Sequence, residues 1–224
     1  MGAPGFITSF SDLPATLPVF PLAGVLLLPG GQLPLNVFEP RYLAMLDDAL
    51  ASNRMIGMVQ PTAEPQQAVD QAGVPALYPT GCAGRIVQFA EAEGNRYLIT
   101  LAGVVRFDIV QEITSMRGYR RMVPDWTAYR GDVEATGEAA IDRDRLLTAL
   151  RGYFTHNGIK ADWDVIQRTD DVRLVTMLAM ICPFDASEKQ ALLVAREIEE
   201  RAEAMIALME MAIHPTSGAD NARH

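Results

Sequence analysis

The residues best suited to chemistry lie in one segment, residues 28–42, which reads LPGGQLPLNVFEPRY. A glycine pair of this kind can bind phosphate through its backbone N–H groups, and Glu39 near Arg41 could act as a general base at the rim of a cleft. However, the glycine turn lacks the lysine and the following helix of a phosphate-binding loop. Glu39 can instead cap the next helix or pair with an arginine. We therefore favour a structural corner, and keep a hydrolase with a carboxylate site around Glu39 as an alternative.

The remaining nucleophiles and metal ligands are scattered. No serine lies in a GxSxG motif, and the three histidines (His156, His214 and His224) fall at helix ends or in the tail. Cys82 and Cys182 are 100 residues apart without a CxxC motif, which favours two buried free thiols over a disulfide or a metal site. We predict no catalytic residue, no metal site and no cofactor.

The charge of the chain argues against nucleic acid and anionic membranes as partners. The formal net charge is −9, and acidic surfaces repel phosphate groups. One basic cluster, MRGYRR at residues 116–121, leaves an RNA-binding protein as a second alternative, although we expect its arginines to form salt bridges. The N-terminus does not resemble a signal peptide and no apolar stretch is long enough to span a membrane, so we predict a cytoplasmic location.

The elements that must position these residues begin with a proline-punctuated stretch, residues 17–37. Its prolines exclude long helices and favour short edge strands. Within it, Leu33, Leu35 and Val37 alternate as in a half-buried strand. The apolar spacing then changes to that of a helix over residues 41–53, with Pro40 in its first turn.

A β-rich stretch follows. Residues 55–61 read as a strand, residues 62–81 as a surface loop, and residues 82–113 as a hairpin that turns at Glu93-Gly94-Asn95. Residues 97–101 are apolar at most positions, which predicts a central strand buried on both faces, and Gly103 suggests a bulge or bend. A further strand is predicted within residues 119–129.

The last part of the chain reads as helices. One pattern ends at Asn157-Gly158, and a second begins at Thr169 or Asp170 and stops at Pro183. A single long helix is predicted over residues 187–214, capped by Ser187, with Glu197 and Arg201 on a solvated face and Met205 and Met209 in the core. The predicted organisation is therefore a β-rich module (residues 1–130), a helical bundle (residues 131–214) and a mobile tail (residues 215–224).

Three segments of this chain resemble the LON substrate-binding domain family. They are residues 17–50, with the series FPL, LPG, LPL and FEPRY; the hairpin of residues 81–110; and SEKQALL at residues 187–193. The resemblance implies an α+β fold, in which a PUA-like β pseudo-barrel with one early helix precedes a C-terminal helical bundle. In ATP-dependent Lon proteases, this region precedes ATPase and Ser-Lys peptidase modules and helps to recognise unfolded or tagged proteins.

The sequence shows neither a Walker motif nor a matching Ser-Lys dyad, so the resemblance implies a stand-alone relative of the recognition domain. We predict a non-enzymatic protein- or peptide-binding module whose partners are unfolded or tagged polypeptides and other proteostasis proteins. Proline-rich edges and adaptable methionines could capture extended apolar segments, with the cleft between barrel and bundle as the expected location. We expect Phe38, Glu39, Arg41 and Tyr42 to contribute to substrate binding.

Overall fold

The computed structural model describes residues 10–62, 75–113, 117–134 and 139–213. Its six strands are β1 (Leu17–Pro21), β2 (Gln32–Val37), β3 (Met55–Val59), β4 (Thr80–Ala92), β5 (Arg96–Ile113) and β6 (Arg120–Asp125). Its seven α-helices are α1 (Pro40–Leu50), α2 (Gly131–Glu134), α3 (Arg143–His156), α4 (Trp163–Arg168), α5 (Asp171–Ile181), α6 (Ala186–Val194) and α7 (Ile198–Ile213).

The six strands form one mixed sheet that closes on itself. Their order is β2-β5-β4-β3-β1-β6, and an additional pairing of β6 with β5 closes the barrel. Strand β5 is long enough to pair with β2 over residues 97–102 and with β6 over residues 108–113. Among the described residues, β2 pairs only with β5, so its other edge carries no strand.

Proline affects the two strands of residues 17–37 differently. The prediction of an edge strand is confirmed for β2, which contains Pro34, but it is wrong for β1, which lies between β3 and β6. The two pairings of β1 are staggered: Leu17–Val19 pair with β6, whereas Val19–Pro21 pair with β3. Only Val19 pairs on both sides, so an interior strand tolerates Pro18 and Pro21.

The predicted hairpin is confirmed, with β4 and β5 joined at Glu93-Gly94-Asn95 and positive φ angles at Gly94 and Asn95. The expectation that residues 97–101 are buried on both faces is wrong. Ile99 and Leu101 are buried beneath the sheet, but Leu98 on the opposite face is 46% exposed. None of the described helices covers that face, so an apolar sequence did not imply burial.

Most of the helices lie where the sequence pattern predicted them. Helix α1 is shorter than predicted and ends at Leu50, while α3 and α5 end at the predicted Asn157-Gly158 and before Pro183. The prediction of a single long helix is wrong. The structure has two helices there, α6 and α7, separated at residues 195–197. Its cap is Asp185 in a capping box with Glu188, rather than Ser187. The short helix α4 was not predicted.

The largest buried cluster joins the barrel to the helices. It contains residues of β1, β2, α1 and the hairpin together with residues of α3, α5, α6 and α7, and Met205 and Met209 are fully buried in it as predicted. A second cluster around Phe107 fills the barrel. The α+β fold, a β pseudo-barrel followed by helices, is confirmed. The division near residue 130 stays a prediction, and the tail at residues 215–224 lies outside the described residues.

Candidate functional site

The glycine turn of residues 29–31 is a structural element. Gly30 has a φ of +77°, and its N–H donates to the Gly103 carbonyl at 3.0 Å. The Gly31 N–H donates to the Leu28 carbonyl at 2.9 Å, and its own carbonyl accepts from the Gly103 N–H at 2.9 Å. Both turn amides are therefore engaged within the chain, and the turn is fastened to β5.

The corner at residues 38–42 contains the four residues predicted to bind substrate. Glu39 occupies the N-cap position of α1 but its side chain makes no capping hydrogen bond; it accepts from Arg41 Nε at 3.0 Å. Both side chains of this pair are about half exposed. Tyr42 is buried against Phe20, with ring centroids 4.2 Å apart, and burial raises the pKa of its hydroxyl.

Phe38 differs from its three neighbours because 62% of it is exposed. It directly follows β2, whose Pro34 and Asn36 face outward by the two-residue period of a strand. Continuing that period places Phe38 on the outer side of the sheet. Of the four predicted residues, Phe38 therefore offers the largest accessible apolar surface, whereas Tyr42 can act only by supporting the corner.

The outer face of β2, β5 and β4 forms a shallow depression of about 430 Å³. At its centre is Leu98, which lies opposite Asn36 on one side and Ala90 on the other. The residues lining the depression come from all three strands: Pro34, Leu35, Asn36, Gln88, Phe89, Ala90, Leu98, Ile99 and Thr100. We call this surface the outer face. It is mostly apolar, and the Thr100 and Gln88 side chains at one end bond to each other at 2.8 Å.

A second depression, of about 630 Å³, lies between the glycine turn and α5, where barrel meets helices. We call it the α5 groove. Its α5 wall includes Met177 and Ile181, which are exposed large apolar residues, and Met180. Gln32 at the start of β2 lines this groove, and Pro34 two residues later lines the outer face. The two depressions thus adjoin along β2.

Sequence reasoning missed Leu98, Met177 and Ile181 as surface residues. Leu98 was predicted to be buried, and Met177 and Ile181 belong to a predicted helix whose exposed face was not assigned. The sequence of β5 did contain a signal of accessible apolar surface, because a strand that is apolar at successive positions needs cover on both faces.

The basic cluster is paired with nearby groups. Arg117 pairs with Asp48, and Arg120 donates to Glu112 from Nε at 2.8 Å. Arg121 donates to the Thr16 hydroxyl at 2.8 Å. The predicted salt bridges are confirmed for Arg117 and Arg120, whereas Arg121 bonds to a neutral hydroxyl instead.

The predicted state of both thiols is also confirmed: Cys82 and Cys182 are free and buried. Burial raises the pKa of both thiols, that of Cys182 to about 12, so neither is a ready nucleophile. No three histidine, cysteine or acidic side chains of the described residues converge as metal ligands would. Within the same residues, no helix has the length and apolar character needed to cross a membrane.

These features define a class of protein: a β pseudo-barrel with an appended helical part and an apolar sheet face that no described helix covers. The sequence model of the ATP-dependent protease La (LON) substrate-binding domain matches residues 16–211. The chain therefore belongs to the LON substrate-binding domain family, as its sequence motifs predicted.

Two curated relatives show how much of a Lon protease this chain represents. It is 28% identical over 213 residues to Lon protease 2 of Myxococcus xanthus, and 28% identical over 212 residues to the Lon protease of Anaeromyxobacter dehalogenans. Both alignments cover 93% of this chain. The chain spans about a quarter of the length of these relatives, 25% and 24% respectively.

Solved structures support the same fold. A Lon N-terminal domain protein from Xanthomonas campestris matches with a TM-score of 0.59 and 23% identity, covering 86% of this chain and 97% of that one. The N-terminal domain of a Mycobacterium avium complex Lon protease matches with a TM-score of 0.56 and 15% identity, covering 87% and 98%. At these identities the likeness concerns the fold alone.

Proposed function

We propose that this chain is a non-enzymatic binding module that captures extended apolar segments of unfolded or tagged polypeptides. One observation carries the proposal: Leu98 lies on β5, between β2 and β4 of the sheet, and yet is 46% exposed. An uncovered apolar sheet face costs free energy in water and is typical of a surface that binds a partner. Membership of a substrate-binding family supports the same function.

The geometry suggests how an extended ligand would lie. The unpaired edge of β2 runs from the α5 groove, past the outer face, to Phe38. From Gln32, where β2 begins, to Phe38 an extended strand spans about 20 Å, at about 3.3 Å per residue, which suits roughly six residues of a ligand. Pro34 removes one backbone N–H from β2. We therefore assign the main contact to side chains on the outer face, with strand addition along β2 as a smaller contribution.

The α5 groove extends this surface. Methionine side chains adapt to differently shaped partners, and Met177 and Met180 line the groove beside Ile181. Glu39 and Arg41, at the other end of β2, would contact the polar backbone of a ligand next to Phe38. Substrate binding at this corner therefore involves direct contacts from Phe38, Glu39 and Arg41. Tyr42 contributes by supporting the corner.

We further propose a cytoplasmic location, in line with two free thiols, and cooperation with other proteostasis proteins. The test of the function is a fluorescence titration of the purified chain with a permanently unfolded protein, such as reduced and carboxymethylated α-lactalbumin. We expect saturable binding at micromolar to tens of micromolar concentrations, and weaker binding of the folded form. Absence of binding at tens of micromolar would contradict the proposal.

A further inference from the structure

The break between α6 and α7 is not caused by a helix-breaking residue. Residues 186–213 contain neither glycine nor proline, and Ala195, Arg196 and Glu197 at the break all belong to types that form helices readily. Even so, Ala195 is extended, with a ψ of 121°. The cause therefore lies in side-chain contacts, which include a local one from the Arg196 N–H to the Glu200 carboxylate at 2.9 Å.

Arg106, from the barrel strand β5, reaches this break with its guanidinium group. Its Nη1 donates to the carbonyls of Leu193, at 3.1 Å, and Ala195, and its Nη2 donates to that of Arg196 at 2.9 Å. In a continuous helix, the Leu193 and Ala195 carbonyls would accept from backbone N–H groups four residues later. The guanidinium takes the place of those helical bonds.

A second arginine, from within α7, shares one of these carbonyls and also binds a neighbouring one. Arg201 Nε donates to the Leu192 carbonyl at 2.8 Å, and its Nη2 to that of Ala195 at 3.2 Å. Arg201 is only 6% exposed, so the predicted solvated pair of Glu197 and Arg201 is wrong. Glu197 lies in the break itself, outside both helices.

Residues of the barrel side also hold the Arg106 side chain in place. Asp132 of α2 accepts from its Nε at 2.9 Å, from its Nη2 at 2.7 Å and from its backbone N–H at 2.9 Å. The guanidinium also lies 4.7 Å from the centre of the Tyr129 ring. Arg106 is 4% exposed, so all these bonds are shielded from water.

We propose that residues 186–213 are a two-state element whose bent form is held by Arg106. When that guanidinium is withdrawn, the Leu193 and Ala195 carbonyls accept from the backbone N–H groups four residues later, and α6 and α7 join into one straight helix. The contact between Arg106 and the break thus sets the orientation of α7 relative to the barrel. It is independent of the proposed function.

The contacts on either side indicate which part would move. Helix α6 is fastened to the barrel, because Lys189 Nζ donates to the Gly24 carbonyl at 2.7 Å and Gln190 Nε2 to the Thr80 carbonyl at 3.1 Å. Helix α7 is joined to α3, where Arg145 pairs with Glu203 and Glu210 of α7. Straightening would therefore swing α7 together with α3 relative to the barrel.

The test is a distance between spin labels on Ala191 and Ala207, two exposed positions on α6 and α7, in a chain with Cys82 and Cys182 replaced by alanine. A straight helix would separate these positions by about 24 Å, at 1.5 Å per residue, and the bent form by less. We expect Arg106→Met to lengthen the distance to about 24 Å and to give helical ¹³Cα shifts at residues 195–197. Arg145→Met, which removes an exposed arginine from the α3–α7 contact, should leave the distance unchanged.

A folded Arg106→Met protein with the distance of the parent chain would overturn the proposal. If this variant does not fold, Asp132→Asn weakens the hold on Arg106 while keeping the shape of the side chain. That variant should then show a second, longer distance beside the original one. A single distance identical to that of the parent chain would equally overturn the proposal.

Discussion

Gly30 and Gly103 are joined by a hydrogen bond, from the Gly30 N–H to the Gly103 carbonyl at 3.0 Å, which fastens the Pro-Gly-Gly turn to the middle of β5. The return bond runs from the Gly103 N–H to the Gly31 carbonyl at 2.9 Å. The turn thereby closes one end of the α5 groove and sets where β2 begins. Glycines that could have suggested phosphate chemistry instead fix the strand along which the proposed ligand lies.

The first prediction concerns Gly103→Ala. A Cβ at this position would overlap the Leu28 carbonyl oxygen, which is backbone and cannot turn away. We expect a loss of about 3 kcal/mol in the free energy of unfolding, measured with urea, because overpacking against backbone forces the turn off the strand. Gly131→Ala is the matched control, since a Cβ there would meet no atom within 4 Å, and it should change stability little. Equal effects of the two substitutions would show that the turn is not tightly packed on β5.

The second prediction concerns the corner pair. Glu39 makes no side-chain cap on α1 and forms an exposed pair with Arg41. Glu39→Gln should therefore lower the free energy of unfolding by less than about 0.5 kcal/mol, as is usual for exposed ion pairs. A double-mutant cycle with Arg41→Gln, read from urea unfolding in low and in high salt, measures the coupling. A coupling well above 1 kcal/mol that persists in high salt would argue against a corner of this kind.

The third prediction is a pH dependence at the start of α6. The pKa of Asp185 is lowered by hydrogen bonds from the Glu188 N–H and from the Ser187 hydroxyl. A lowered pKa stabilises the fold at pH values above the ordinary pKa of 3.8, and that stabilisation is lost as the pH falls through the folded-state pKa. The stability advantage of the parent chain over Asp185→Asn should be constant between about pH 5 and 7 and shrink below about pH 4.

Urea unfolding at several pH values measures this difference. Asp185→Ala serves as the reference for losing the cap entirely, which costs about 1 kcal/mol. An advantage over Asp185→Asn that stays the same down to pH 3 would mean that the carboxylate charge contributes nothing to the cap.

Local signals in the sequence were sufficient for most of the elements. The turn at Glu93-Gly94-Asn95, the caps at Asp170 and Asn157, and the change of period at Pro40 are each decided by residues close in sequence. The family motifs then predicted how the elements are arranged.

Tertiary contacts decided the features that the sequence did not reveal. The break at Ala195 is contacted by Arg106, which is 89 residues away, so no local pattern in the sequence indicates this contact. The exposure of Leu98 depends on where the helices pack, which the pattern of β5 alone does not encode. The candidate site was therefore only partly predictable: Phe38 was named from its motif, whereas Leu98 was taken for core.

The claim at the centre of this account is that the outer face binds unfolded polypeptide through Leu98. Leu98→Asp places a charge in the middle of that face, and Leu98→Thr removes apolar surface without adding charge. Val110→Asp is the matched control: Val110 is 65% exposed on the same strand but lies 12 residues further along, away from the outer face. Circular dichroism and urea unfolding would establish that all three variants are folded.

The most direct measurement is the dissociation constant of each variant for fluorescently labelled, reduced and carboxymethylated α-lactalbumin. We expect Leu98→Asp to weaken binding at least about tenfold, which corresponds to about 1.4 kcal/mol, and Leu98→Thr to weaken it less. Val110→Asp should bind like the parent chain. If folded Leu98→Asp binds as tightly as the parent chain, or if Val110→Asp weakens binding equally, the outer face is not the binding surface.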